Sequence, residues 1–244
     1  MQPLRPLARL RSVMRLLLIR HAQTTANHEG RWQGHADYPL SATGRQQASS
    51  LANALRDEFM KDAITPTTLY SSPLGRAQAT AASVSTAFSL PIKTLTDLSE
   101  YHVGIFSART WAELEAEHPE AAQRFAAQRD WNTVPEAETV QSRAKRATTV
   151  IEHILGSHSE GDTVLCVTHG GFLQYLLAAV LGTRRVWGVR PENTAIFEFD
   201  LTPEAHAETT DSSEGLSTYR CRILRFNDTG HLHGLTRQGD PQAD

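Results

Sequence analysis

Residues 16–27 read Leu16-Leu17-Leu18-Ile19-Arg20-His21-Ala22-Gln23-Thr24-Thr25-Ala26-Asn27, and the fold is decided there. Leu16–Ile19 is an uninterrupted apolar run, the pattern of a strand buried on both faces. It extends to a strand over Arg15–Arg20 and stops abruptly at Arg20-His21, where a polar loop begins. In an open α/β sheet, ligands bind just beyond the carboxyl ends of the strands. Such a strand end would set a guanidinium and an imidazole side by side in a binding position. Arg20 suits an anion with several oxygens, such as phosphate. His21 titrates near neutrality and can serve as base, acid or nucleophile. A strand that simply ends in polar residues is the competing reading at this point.

The rest of the chain repeats the strand–loop–helix pattern. With 244 residues and a net charge of -3, it has the length of one α/β domain and lacks the basic balance of a nucleic-acid or anionic-membrane binder. Cys166 and Cys221 lie far apart and form no CxxC pair, so no disulfide framework is expected and a reducing, cytoplasmic setting is the default. No apolar run approaches the roughly 20 residues of a membrane span. Residues 1–14 carry three arginines, Arg5, Arg9 and Arg11, and no acid, and are expected to be a frayed extension rather than a targeting segment. A single domain over 15–235 and a tail over 236–244 complete the organisation.

Within the domain, Ser41 is expected to cap a helix carrying Ala48, Leu51, Ala52 and Leu55 on one face and ending near Met60. Thr67–Ser71 reads as a second strand, and a helix follows near Leu74 with Ala77, Thr80, Ala81 and Val84 on one face. Pro91–Thr94 is a third, short strand. Trp111–Arg129 is helical but interrupted at Pro119. Glu138–Leu155 is amphipathic, with Val140, Ala144, Ala147 and Ile151 toward the core. Thr163–Val167 is a buried strand, Phe172–Leu181 an apolar helix, and Ala195–Asp200 and Tyr219–Phe226 are two last strands. The acidic segment Thr202–Thr218 between them is expected to be a solvated hairpin loop. Strands alternating with helices predict a three-layer α/β/α fold around a mostly parallel, doubly wound sheet, with the last two strands added at one edge.

Three further segments carry chemistry. Val164–Val167 is followed by Thr168-His169-Gly170-Gly171, so His169 also stands at a strand end and opens a helix, where free N–H groups favour an anion. In Ser71-Ser72-Pro73-Leu74-Gly75-Arg76, an arginine falls in the first turn of a helix. The helix dipole disfavours a cation there unless an anion binds between them. In Asp97-Leu98-Ser99-Glu100-Tyr101-His102-Val103-Gly104, Glu100 is the carboxylate best placed for general acid–base work. His231 and His233 have the spacing of a metal pair, but a pair alone is not a ligand set and no metal site is assigned.

Together these segments resemble the histidine phosphatase superfamily, the phosphoglycerate mutase-like fold. The first motif carries most of it: Leu18–Asn27, Arg31-Trp32-Gln33-Gly34, Asp37, Pro39-Leu40, Gly44 and Gln47-Ala48. Ser72–Ala77, Leu98-Ser99-Glu100 with Gly104, Thr168–Gly171 and Arg225–Leu232 match later motifs in order, so the likeness spans about Arg15 to Leu232. One departure is Ala22, where the family has Gly after the histidine. The resemblance implies that His21 is the nucleophile and forms a phosphohistidine, that Arg20, Arg76 and His169 surround the phosphoryl oxygens, and that Glu100 is the general acid and base. Asn27, Gln33 and the Gly170 amide match substrate-binding positions. His21 is expected to act neutral and His169 as a cation. The family needs no metal, and no cofactor is expected for this chain.

The segment Tyr101–Thr139 matches a substrate cap too compact for the basic insertion of the cofactor-dependent mutases. Phosphomonoester hydrolysis on small phosphorylated metabolites with broad specificity is therefore the leading expectation. A cofactor-dependent phosphoglycerate mutase and a non-catalytic phospho-ligand binding module are the alternatives. Trp111, Phe125 and Trp131 in the cap are candidates for an apolar wall or for ordinary packing. Expected partners are a phosphorylated small molecule, with no nucleic acid and no membrane; a homodimer is left open.

Overall fold

Alternation along β1 (Met14–Arg20) divides the core in two. Leu16 and Leu18 face one hydrophobic cluster, Leu17 and Ile19 the other, because successive strand residues point to opposite faces. All four are fully buried, which is why the stretch is apolar without interruption. The chain is represented by a computed structural model that describes residues 13–186, 188–203 and 219–235. The expected extension before residue 13, residues 204–218 of the expected loop Thr202–Thr218 and the tail 236–244 lie outside the described residues, while Thr202 and Pro203 continue the last strand but one instead of opening that loop. Met14, expected in that extension, is instead the first residue of β1 and is buried.

After β1 come the short α1 (Thr25–Glu29), α2 (Ala42–Lys61), β2 (Thr68–Ser71), α3 (Gly75–Phe88) and β3 (Ile92–Thr94). The cap follows with α4 (Trp111–Glu117) and α5 (Pro119–Gln128), then α6 (Val140–Ser157), β4 (Thr163–Thr168), α7 (Gly170–Val180), β5 (Ile196–Pro203) and β6 (Tyr219–Asp228). Pro119 divides the cap helix because its ring cannot continue the preceding turn, and it opens α5 at the first helical position, where its missing N–H costs nothing.

The strands form one sheet in the order β3-β2-β4-β1-β5-β6. β1, β4, β2 and β3 run parallel, whereas β5 is antiparallel to β1 and β6 to β5. This is the expected three-layer α/β/α architecture with a two-strand addition at one edge. Residues of α2 and α3 (Leu51, Leu55, Ala77, Val84) pack on one face. Residues of α6 and α7 (Val150, Ile154, Leu173, Leu176) and of the cap (Leu114, Phe125) pack on the other. The helix that follows β1 and the helix that follows β4 thus leave toward opposite faces, and adjacent parallel strands that diverge this way open a crevice at their carboxyl ends.

One helix face differs from the expectation. On α6 the buried positions are Arg143, Ala147, Val150, Ile151 and Ile154, while Ala144 is exposed. The stripe keeps its helical spacing but begins on an arginine, so hydrophobicity alone set it one residue off.

Candidate active site

The crevice between β1 and β4 holds two imidazoles. Arg20 is paired with Thr168 in the sheet register, and the His21 N–H donates to the Thr168 carbonyl at 2.9 Å. This brings His21 and His169 together with ring centroids 5.1 Å apart. Both are buried. His21 Nδ1 lies 2.8 Å from its neighbour's carbonyl, Ala22 O. A carbonyl only accepts, so Nδ1 carries the proton and the Nε2 lone pair is left for chemistry. The Asn193 side chain donates to the His21 carbonyl at 3.1 Å, which fixes the backbone of the turn. His169 Nε2 is 2.7 Å from Ser72 Oγ, and its buried Nδ1 has no partner among the described residues.

Arginines surround the pair. Arg20 Nη1 donates to the Pro191 carbonyl at 2.7 Å. Arg76, in the first turn of α3, is 1% exposed, so it is not a solvated helix-start arginine. It donates to the carbonyls of Ala36 at 3.0 Å and Gly34 at 2.7 Å, and its buried Nε has no partner among the described residues. Its nearest carboxylate, Asp37, is 3.9 Å away and faces solvent. Burial lowers the proton affinity of Arg76. A buried guanidinium and a buried imidazole, each with an unsatisfied nitrogen, form a receptor for an oxyanion.

Glu100 closes the crevice from the cap side. Its Oε2 accepts the Gly171 N–H at 2.9 Å and its Oε1 that of Tyr101 at 3.0 Å. A Cβ on Gly171 would lie 2.8 Å from Glu100 Oε1 and 2.5 Å from the Tyr101 ring, so glycine is required for this approach. Arg146 of α6 steadies the same loop, donating to the carbonyls of Asp97 and Ser99 while paired with Glu138 at 2.8 Å.

A cavity of about 620 Å³ contains Arg20, His21, Asn27, Gln33, Arg76, Glu100 and Gly170 on its walls. The residues that the resemblance assigned to catalysis and substrate binding therefore line one space, except His169, which is buried behind it. Asn27 Oδ1 accepts from Thr24, which turns its amide N–H groups toward other acceptors. Gln33 Oε1 accepts from Thr24 Oγ1 in the same way. Trp32 and Trp111 also line the cavity, while Phe125 and Trp131 pack against Trp32 behind the wall. The cap aromatics thus divide between the two roles expected for them.

One departure from the motif now has a physical account. Ala22 does not have a positive φ, so its backbone does not need glycine. Its methyl packs with Leu40 and Ala48, and its N–H donates to Thr80 Oγ1. His231, by contrast, is a fastener: its ring meets Thr194 Oγ1 at 2.9 Å and its carbonyl accepts from Ser50. Among the described residues no group of three His, Cys, Asp or Glu is placed to hold a metal.

A family model described as histidine phosphatase superfamily (branch 1) matches residues 16–210. The chain belongs to that superfamily. A metal-independent phosphoserine phosphatase of Arabidopsis thaliana is 35% identical over 66% of this chain and 66% of its own length. An adenosylcobalamin/alpha-ribazole phosphatase of Escherichia coli is 32% identical over 77% of this chain and 90% of its own. A solved mycobacterial glucosyl-3-phosphoglycerate phosphatase superposes with a TM-score of 0.71 at 27% identity, covering 88% of this chain and 99% of that one. These likenesses place the chain on the phosphatase branch of the phosphoglycerate mutase family.

Two contributors to this histidine phosphatase site lie outside every motif read from the sequence. Asn193 and Pro191 act through a single hydrogen bond each, which no periodicity reports. The opposite protonation preferences expected for His21 and His169 are not found. Burial first, then Arg76, pushes both imidazoles well below their ordinary range, so both favour the neutral form. In the unfolded chain these histidines bind a proton below about pH 6.5. As pH falls through that value, protons bind the unfolded state first, so stability drops. We expect the melting temperature of the free protein to decline below about pH 6.5, and saturating vanadate to reduce the decline, because an oxyanion favours charged imidazoles. A melting temperature flat from pH 7 to 5 would contradict the neutral pair.

Proposed function

We propose that the protein hydrolyses phosphomonoesters through a phosphohistidine at His21. The observation that carries this reading is the His21 Nδ1 contact to its own Ala22 carbonyl, which directs the Nε2 lone pair away from the backbone for attack. Nε2 forms a bond to phosphorus as the ester P–O bond breaks, and Glu100 donates a proton to the departing oxygen. Water then attacks phosphohistidine, Glu100 takes its proton, inorganic phosphate leaves and His21 is restored. Arg20, Arg76 and His169 stabilise charge on the equatorial oxygens, the main protein contribution in phosphoryl transfer. Asn27, Gln33 and the Gly170 amide orient the phosphoryl group.

The substrates are small phosphorylated metabolites of broad range. Support comes from a cavity with both arginine and tryptophan walls, and from relatives whose names specify unlike leaving groups. The catalytic unit is the single domain 15–235. Cytoplasmic residence is part of this reading, and two cysteines without a disulfide support it; among the described residues no helix is long and apolar enough to cross a membrane.

Rapid mixing with a labelled phosphate donor, followed by denaturation, tests the reading. We expect protein-bound label that is acid-labile and alkali-stable, formed equally well in EDTA. A non-catalytic binder would carry none.

A further inference from the structure

Arg143 is an unusual residue for the middle of an α/β domain. It is 0% exposed, yet no carboxylate among the described residues bonds to it. Its guanidinium lies 3.6 Å from the centre of the Tyr101 ring, 5.0 Å from Trp131 and 5.9 Å from Tyr175. Its hydrogen bond is a long one, Nη1 to the Tyr175 hydroxyl at 3.5 Å. Nε and Nη2 are buried without a partner among the described residues. Aromatic faces attract a guanidinium, but they do not accept its in-plane N–H groups, and an uncompensated buried charge is costly.

The two nearby carboxylates are otherwise engaged. Glu138 is held by Arg146 and Ser142, and Glu100 by the Gly171 and Tyr101 amides. Tyr101 itself is part of the cavity wall. One of its faces carries Arg143, and it adjoins Glu100, the residue assigned to the leaving oxygen. The positive field of Arg143 therefore reaches the cavity on the leaving-group side, through low-dielectric material that screens it little. Arg20 and Arg76 serve the phosphoryl end, while Trp32 and Trp111 share the rest of the wall with Arg31, Arg129, Arg190 and Glu192; Arg31 is paired with Glu29 and Glu113, and Arg143 differs from these arginines in being fully buried.

We propose that Arg143 is a specificity-determining residue, a buried cation behind the Tyr101 wall that favours phosphomonoesters whose leaving group carries a second anionic group such as a carboxylate. This rests on the reading of the cavity as a phosphomonoester site. Arg143 touches no substrate; it acts through Tyr101, by holding the ring and by its charge.

The test compares 3-phosphoglycerate with glycerol 3-phosphate, which differ in a carboxylate against a hydroxymethyl group. Binding is measured by calorimetry on the otherwise unaltered chain carrying His21→Ala, which removes turnover. KM and kcat are measured separately on the chain with His21 intact. We expect the carboxylate ligand to bind more tightly. Arg143→Met should weaken it by about tenfold, with a much smaller loss for glycerol 3-phosphate and the change in KM rather than kcat. Arg143→Lys should keep the preference. Equal binding of the two ligands before any change at Arg143 overturns the proposal, and that comparison does not depend on the Met variant folding. Equal losses for both ligands in Arg143→Met, or loss of the preference in Arg143→Lys, also overturn it. If no phosphoenzyme forms but the binding preference holds, hydrolysis is the reading that fails. If phosphoenzyme forms and the ligands bind equally, it is the role of Arg143.

Discussion

His21→Ala is expected to lower kcat/KM for an aryl phosphate by at least about 10⁴-fold, because removing a covalent nucleophile leaves only the contribution of binding and charge stabilisation. No neighbour can substitute. His169 is buried behind the cavity with Nε2 directed at Ser72, and both cysteines are held as thiols by burial, Cys166 fully inside the sheet. The substitution should not unfold the chain, since the turn is also held by Asn193 and by the strand pairing of Arg20 with Thr168. Vanadate binding should survive in part through Arg20 and Arg76. The measurement is steady-state hydrolysis together with phosphoenzyme labelling. A variant that hydrolyses at full rate, or that still takes up acid-labile label, removes His21 as the nucleophile.

Glu100→Gln has the second largest expected effect, and its signature is dependence on the leaving group. A displaced proton donor costs about 10²–10⁴-fold where the leaving oxygen needs protonation. Alkyl phosphates should show that loss in full. With an aryl phosphate the phenolate departs unaided, so phosphorylation of His21 proceeds while the attacking water lacks its base. The expected result is a burst of product followed by a slow steady state, with label accumulating on the protein. The amide should preserve the cap geometry in part, because its oxygen can still accept one of the two N–H groups that Glu100 receives from Gly171 and Tyr101. Equal losses for alkyl and aryl substrates, without a burst, would assign Glu100 to positioning alone.

The sheet and both imidazoles of the candidate site were legible because each histidine follows an apolar run. Arg20-His21 after Leu16–Ile19 and His169 after Val164–Val167 announce themselves by an abrupt change of polarity at a strand end. Arg76 was legible through the conflict between a cation and a helix N-terminus. What could not be read depends on three-dimensional neighbours. The five-residue α1 buries Ala26 and Asn27 but is too short to generate a period. Asn193 lies in a loop and does its work on a backbone oxygen 172 residues away. Arg143 occupies a core position in α6, and hydrophobicity rules assign such a position to its neighbour Ala144. The protonation of the two imidazoles was misjudged because the cost of desolvation depends on how deeply a ring is enclosed, which a strand-end motif does not specify.

β5 runs against β1, with Met14 facing Leu201 in the ladder, so its carboxyl end lies at the pole of the sheet opposite the two histidines. Pro203 and Tyr219 face each other there as partners in the final rungs of β5 and β6. The chain leaves and re-enters the sheet at neighbouring points, remote from the cavity. A fluorophore, purification tag or whole reporter domain spliced between these two residues would meet no closure cost beyond the slow logarithmic one. The hydrolase could then be immobilised or imaged with its substrate mouth facing outward.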